Sequence, residues 1–129
     1  MEERDKELLL TDLCARLPYN VWVRYKTKYD DVERATILNG NYVREIMEGT
    51  SYWIDFKPYL RPMSSMTEEE QKEYHKTFRV ESYGNGYVYV ESAKSFDWLN
   101  KNMFDYRGLI EKGRAIKVTE ENNPYKDKD

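Results

Sequence analysis

The stretch "YNVWVRYKTKY", Tyr19 to Tyr29, alternates two sets of side chains with a period of two. Val21, Val23, Tyr25, Thr27 and Tyr29 fall on one side, and Trp22, Arg24, Lys26 and Lys28 on the other, which is the pattern of a strand with one face against a core. A helix would scatter the same residues around its axis. Upstream, Glu2 to Leu17 spaces Leu9, Leu13, Ala15 and Leu17 among charges, with Leu8, Leu10 and Cys14 adding apolar bulk, and this predicts a helix over 3–16. Pro18 ends it, because the residue before a proline is pushed out of the helical region.

Downstream, "YDDV" gives a turn, and "VERATILNGNYVREIM" places Asn39-Gly40 between two strand-like runs, a strong hairpin signal. "EGTS" breaks the chain. "YWIDFK" then sets Tyr52, Ile54 and Phe56 against Trp53, Asp55 and Lys57, which predicts a fourth strand. Pro58 and Pro62 lack backbone donors, so the sheet is expected to end at Pro58, leaving "PYLRP" as an extended connector. Thr67 with Glu70 forms a capping box, and acids at 68 to 70 suit the positive end of a helix over 67–76.

"TFRVESYGNGYVYVES" predicts a second hairpin about Gly84-Asn85-Gly86. Ser95 is expected to cap a helix over 95–103, and Asp105 another over 105–112 closed by Gly113. "RAIKV" suits a short last strand, and the charged segment from Thr119 a frayed tail. The expectation is a single α+β domain over 1–118 with a flexible tail over 119–129. Its twisted, mainly antiparallel sheet has about five to seven strands, with short helices on one face or end.

A chain of 129 residues, 40% hydrophobic and 35% charged, suits one hydrophobic core. Twelve of its nineteen aromatics are tyrosine, whose apolar ring and polar tip fit half-buried sheets and contact surfaces. The formal charge is −3 and neither half is basic, which argues against general nucleic-acid binding, since a phosphate backbone is held by cation excess. "MEERDKELLL" has acids where a signal peptide needs bases, and no apolar run approaches the roughly 18 residues of a membrane span. A cytoplasmic protein without membrane contact is expected.

Nucleophilic catalysis needs an activated nucleophile and a base within reach, and the chain has one cysteine and one histidine. Cys14, among Leu13, Ala15 and Leu17, reads as a buried, inert thiol, and His75 sits near the negative end of a polar helix. One Cys and one His exclude ordinary zinc clusters, no acidic run has the spacing of a calcium loop, and "GNG" lacks the Lys-Ser/Thr of a phosphate loop. The sequence therefore points away from an enzyme and implies no cofactor or metal.

The candidate binding residues are mixed aromatic and basic: Trp22, Arg24, Lys26 and Lys28 on one strand face, and Tyr59 with Arg61 in the connector. A Trp beside three cations suits an anionic partner, a nucleotide or an acidic protein face, through stacking and charge. The same pattern also describes a solvated strand face with Trp22 packed under a helix. Met63 and Met66 fit either flexible filler at a core edge or a recognition strip.

"YLRPMSSMTEEE", Tyr59 to Glu70, and "DWLNKNMFDYRGLIEKGRAI", Asp97 to Ile116, resemble the recurring signatures of a family of small uncharacterised proteins of gut Bacteroidales, their prophages and phages. "DLCARLPY", Asp12 to Tyr19, is similar in the same way. The two longer segments cover about a quarter of the chain. Arg114 stands where the family pattern has a leucine in "EKGLA", and Met103 where it often has a histidine, which speaks against a shared histidine site. The resemblance implies an accessory gene of mobile elements and transfers no activity. Such small phage proteins act by binding, either blocking a host protein or capturing a signalling nucleotide.

The fixed order within Tyr59 to Glu70 suggests that this segment docks onto "FDYRGLIEKG" inside the fold, with Arg61 near Asp105 or Glu111. The expected function is a non-enzymatic binding protein with a host protein partner. The alternative is a small-ligand binder for a nucleotide or cyclic nucleotide. The sequence leaves the oligomeric state open.

Overall fold

The computed structural model describes residues 3–49 and 53–126. Tyr52 of the expected fourth strand, Thr50 and Ser51 of the expected break, and residues 127–129 of the expected tail lie outside the described residues, as does the side chain of Trp53. The described chain forms an α+β fold with four α-helices and seven strands.

Helix α1, Glu3–Arg16, carries acids in its first turn and Arg16 in its last, matching the helix dipole. Leu9, Asp12, Leu13 and Arg16 are its buried stripe, spaced at three and four residues. Cys14 lies one residue off that stripe and is exposed, which corrects the expectation of a buried thiol.

Strand β1, Trp22–Thr27, pairs antiparallel with β2, Arg34–Ile37, and with β3, Trp53–Pro62. Val21 and Val23 are fully buried, and Tyr25 stacks on Phe56 at 6.0 Å. That side faces α1 and α2, where Leu9, Leu13 and Val43 complete the main core with Leu38, Phe56 and Leu60. Each such buried Leu or Val contributes roughly 1.5–3 kcal/mol over leaving it exposed.

Helix α2, Gly40–Glu48, replaces the hairpin expected at Asn39-Gly40. Asn39 is an N-cap whose Oδ1 accepts from the Tyr42 N–H at 3.1 Å, and Gly49, with φ 71°, closes the helix. The apolar stripe of Tyr42, Val43 and Ile46 decides the outcome, because it buries on the core only at helical spacing.

The sheet does not end at Pro58. Strand β3 runs to Pro62 by changing partners where the donors run out: β1 pairs with it as far as Val23↔Pro58, and two short parallel strands take over. These are β6, Phe104–Asp105, and β7, Ile116–Lys117. Asp55, with φ 59°, sits in a one-residue bulge where Arg24 pairs Lys57 but Lys26 pairs Ile54.

Helix α3, Glu68–Lys76, starts at the expected capping box of Thr67 and Glu70. Helix α4, Ala93–Lys101, starts two residues early: Ser92 is the N-cap, and Ser95 is its reciprocal partner. The helix expected over 105–112 is absent. Asp105 still acts as a cap, accepting from the N–H groups of Leu109 and Ile110 at 2.9 Å each, but left-handed Gly108, with φ 77°, turns the chain before a helix can propagate.

A second core cluster joins α3, α4 and β6 through Tyr74, Leu99 and Phe104. The remaining strands, β4 (Arg79–Tyr83) and β5 (Gly86–Val90), form the expected second hairpin, but as a separate two-stranded sheet and not as part of the large one. The segment after Thr119, expected to fray, brings Tyr125 into the main core: its hydroxyl accepts from the Trp22 N–H at 3.0 Å and donates to the Tyr59 carbonyl at 2.8 Å.

Candidate functional site

Arg24 and Lys57 pair across β1 and β3 on the side away from α1, and Trp22 and Tyr59 lie two residues along on the same side. Trp22 is half-buried there and Arg24 is engaged with Glu33 at 3.4 Å. Tyr59 is buried, and that burial raises its hydroxyl pKa. The bulge of β3 lies opposite Arg24 to Lys26, and Lys28 lies in the turn past β1, so Trp22, Arg24, Lys26 and Lys28 do not share one regular strand face.

Arg61 is engaged inside the fold. Its guanidinium grips Glu70 with two hydrogen bonds of 2.7 and 2.8 Å, donates to the Ser65 carbonyl at 3.1 Å and lies 4.2 Å over the Phe104 ring. The Arg61 hydrogen bonds hold the Glu70 carboxyl down to about 2. The segment does dock onto Phe104 and Asp105, through the backbone register Arg61↔Phe104 and an Arg61 N–H to Met103 carbonyl bond of 2.7 Å. The charge partner is Glu70, within the segment itself, and not Asp105 or Glu111.

The surface that the sequence reading passed over is the β4–β5 hairpin. Gly84, with φ 59°, stands first in the two-residue turn Gly84-Asn85, where a II′ hairpin turn puts its glycine. The register Val80↔Tyr89 and Ser82↔Tyr87 collects both tyrosines on one face, and Arg79, Glu81, Tyr83, Val88 and Val90 share the other. Neither face is covered: Tyr83, Tyr87 and Tyr89 are 78%, 75% and 70% exposed, and Val80 and Val88 are exposed too.

Among the described residues, the side-chain hydrogen bonds that tie the hairpin to the rest of the fold lie at its foot. Ser92 Oγ donates to the Thr77 carbonyl at 2.7 Å, Thr77 Oγ1 donates to Ser95 Oγ at 2.8 Å, and the Tyr74 hydroxyl donates to the Glu91 carboxylate. Burial and the Glu91 charge together push the Tyr74 hydroxyl pKa far up, so it stays a donor at any ordinary pH. Behind the foot, Phe78, Tyr74, Trp98 and Phe104 make a run of ring contacts at 4.9, 5.5 and 5.6 Å that ends under Arg61.

Beside the foot opens a cleft of about 580 Å³. Met63, Tyr74, Phe96 and Tyr106 supply its apolar walls, and Glu91, Asp105 and Glu111 its charges, with no Lys, Arg or His among the described residues of the lining. The two segments that carried the family resemblance both contribute to it. A smaller cleft of about 320 Å³ has the opposite sign, lined by Arg61 and Lys101 with Tyr19, Asn102, Asn123 and Tyr125 and, among the described residues, by no carboxylate.

Among the described residues no group of three or more His, Cys, Asp or Glu could hold a metal ion, and no helix is long and apolar enough to cross a membrane. No protein family, curated protein or solved structure matches the chain.

Proposed function

We propose that the protein is a non-enzymatic accessory binding protein of phage or mobile-element type, and that the β4–β5 hairpin engages a host protein. One observation carries this: an isolated two-stranded ribbon is marginal in water, yet this one leaves three tyrosines and two valines uncovered on both faces. Tyrosine anchors contact area at low entropy cost and is enriched where protein surfaces meet. The resemblance of Tyr59 to Glu70 and Asp97 to Ile116 to small phage-borne proteins supports the setting.

The test is capture from a Bacteroidales host lysate by the tagged full chain and by a Tyr87→Ser/Tyr89→Ser variant. A host protein retained by the wild type and by Lys28→Ala, and lost by the hairpin variant, is the expected result. Equal capture by all three would overturn it, and so would a dimeric wild type whose mass halves in the hairpin variant, because the hairpin would then be covered by a second copy.

A second reading has its own observation. The smaller cleft sets Lys101 beside tyrosine and asparagine side chains, with Arg61, bound to Glu70, in its wall, which suits a small anionic ligand such as a nucleotide. A concentration-dependent rise in melting temperature with one nucleotide, abolished by Lys101→Ala, would support it. A flat panel of mono-, di- and cyclic nucleotides would leave the protein-binding reading alone.

A further inference from the structure

We infer that the 580 Å³ cleft at the foot of the hairpin is the receiving site for an arginine side chain of the partner polypeptide. This rests on the proposal that the hairpin binds a protein, and it assigns a specific contact to that surface. The cleft is contiguous with the hairpin, since Glu91 follows directly on the last residue of β5 and lines its wall. Its size is within the range of roughly 300–1,000 Å³ that takes a ligand group deep enough to bury it.

The sign of charge selects the occupant. Among the described residues three carboxylates and no cation line the cleft, so an anionic group entering it would meet repulsion and a cationic one attraction. Asp105 is spent on the backbone of Leu109 and Ile110, and Glu91 accepts one bond from Tyr74. Glu111 is exposed and has no hydrogen-bond or ion-pair partner among the described residues. Two cations of the chain, Arg107 and Arg16, lie over the Tyr106 ring at 4.5 and 5.6 Å, and Asp12 binds both of them.

The walls favour a guanidinium over a compact ammonium. Phe96 lines the cleft with 41% of its surface exposed and packs at 5.4 Å against Tyr106. A planar cation can stack on that surface and present paired N–H donors to a carboxylate, which a lysine cannot do. The apolar remainder, with Met63 and Ile110, suits the aliphatic stem of the same side chain.

The probe is N-acetyl-arginine methylamide, with the citrulline equivalent as its uncharged isostere, titrated into the full-length chain at low salt and followed by two-dimensional NMR. Saturable shifts centred on Phe96, Tyr106 and Gly108 are expected. The citrulline probe should bind at least about tenfold more weakly, since it keeps the shape and loses the charge. Binding of the arginine probe should weaken as salt rises and fall severalfold in Glu111→Gln, an exposed position whose change leaves the fold alone.

Equal binding of arginine and citrulline, shifts scattered away from the cleft, or an unchanged affinity in Glu111→Gln would each overturn the assignment. The Tyr87→Ser/Tyr89→Ser variant separates it from the reading it rests on. That variant should still bind the arginine probe while losing the host protein. Loss of the probe with retention of the host protein would sink the cleft assignment and not the hairpin.

Discussion

Two regions of this molecule handle aromatic and charged side chains in opposite ways. Around β1 and β3 they are consumed by the fold: Tyr59 is buried, Arg61 holds Glu70, and Arg16 and Arg107 share the buried Asp12. On the β4–β5 hairpin Arg79 pairs with Glu81 at the surface, and the aromatic rings are left open to water at both faces. The contrast shows that an aromatic-basic pattern is no guide to a contact surface until its partners are known. In the first region Arg16, Arg24, Arg61 and Arg107 each hold an acid of the same chain, and in the second Tyr83, Tyr87 and Tyr89 stay at least 70% exposed.

The sharpest way to expose the contrast is to remove Asp12. Its carboxylate takes Arg16 Nε at 3.0 Å and Arg107 Nη1 at 2.7 Å, and Arg16 is fully buried. Asp12→Ala leaves a buried guanidinium without its counter-charge, already one nitrogen short of a partner at Nη1, and should cost about 3–5 kcal/mol in chemical denaturation. A loss below about 1 kcal/mol would mean that this ionic cluster does not hold α1 to β6.

Arg61→Ala comes next. It removes the two-pronged grip on Glu70 and the cover over Phe104, and should lower stability by about 2 kcal/mol. Host-protein capture should be unaffected at protein concentrations where the variant stays folded. Loss of capture in the folded variant would return Arg61 to the binding surface and break the comparison.

The same pair sets an acid-limb prediction. The Glu70 carboxyl titrates at about 2 in the folded chain, below its ordinary value near 4.5, because Arg61 stabilises the charged form. Its contribution is therefore fully present above the ordinary value and drains away as pH falls from there towards about 2. Glu70→Gln should be less stable than the wild type at pH 7, and the gap between them should close on acidification through that window. A gap independent of pH would show that the ion pair is not its source.

The smallest effect belongs to the hairpin. Tyr87→Ser/Tyr89→Ser should leave stability within about 0.5 kcal/mol of the wild type, because these rings are covered by nothing in the free protein. A larger loss would mean that the rings pack in solution and would weaken the case for the hairpin as a contact surface.

How much of this was legible follows the range of the signals. The strand reading around Val21 to Thr27, the capping box at Thr67 and the glycine turn at Gly84 are set by neighbours in sequence and appear in the fold, but Tyr29, expected on the core side, lies in the turn past β1 and is 78% exposed. Asn39-Gly40 is ambiguous at that range, because the asparagine that would occupy a hairpin turn also caps a helix; the Tyr42, Val43 and Ile46 stripe with Gly49 was the signal that decided it. Pro58 misled because a missing donor matters only on the side where a neighbour needs it, and β3 changes neighbours there.

The candidate site was less legible for the same reason. That Arg61 closes back on Glu70, and that Tyr59 is covered, are properties of tertiary contacts. The hairpin did carry one local hint: "GYVYV" puts apolar or aromatic side chains on both faces of a strand, which a half-buried strand does not need. Whether such a strand lies inside a sheet or outside it depends on what packs around it, and here, among the described residues, no third strand joins the hairpin.

The most direct measurement places a photo-crosslinking benzoylphenylalanine at Tyr87 in one chain and at Trp22 in another and irradiates each in host cells. The account predicts a discrete crosslinked host protein from position 87 and none from position 22. An adduct from position 22 alone, or none from position 87, would contradict it.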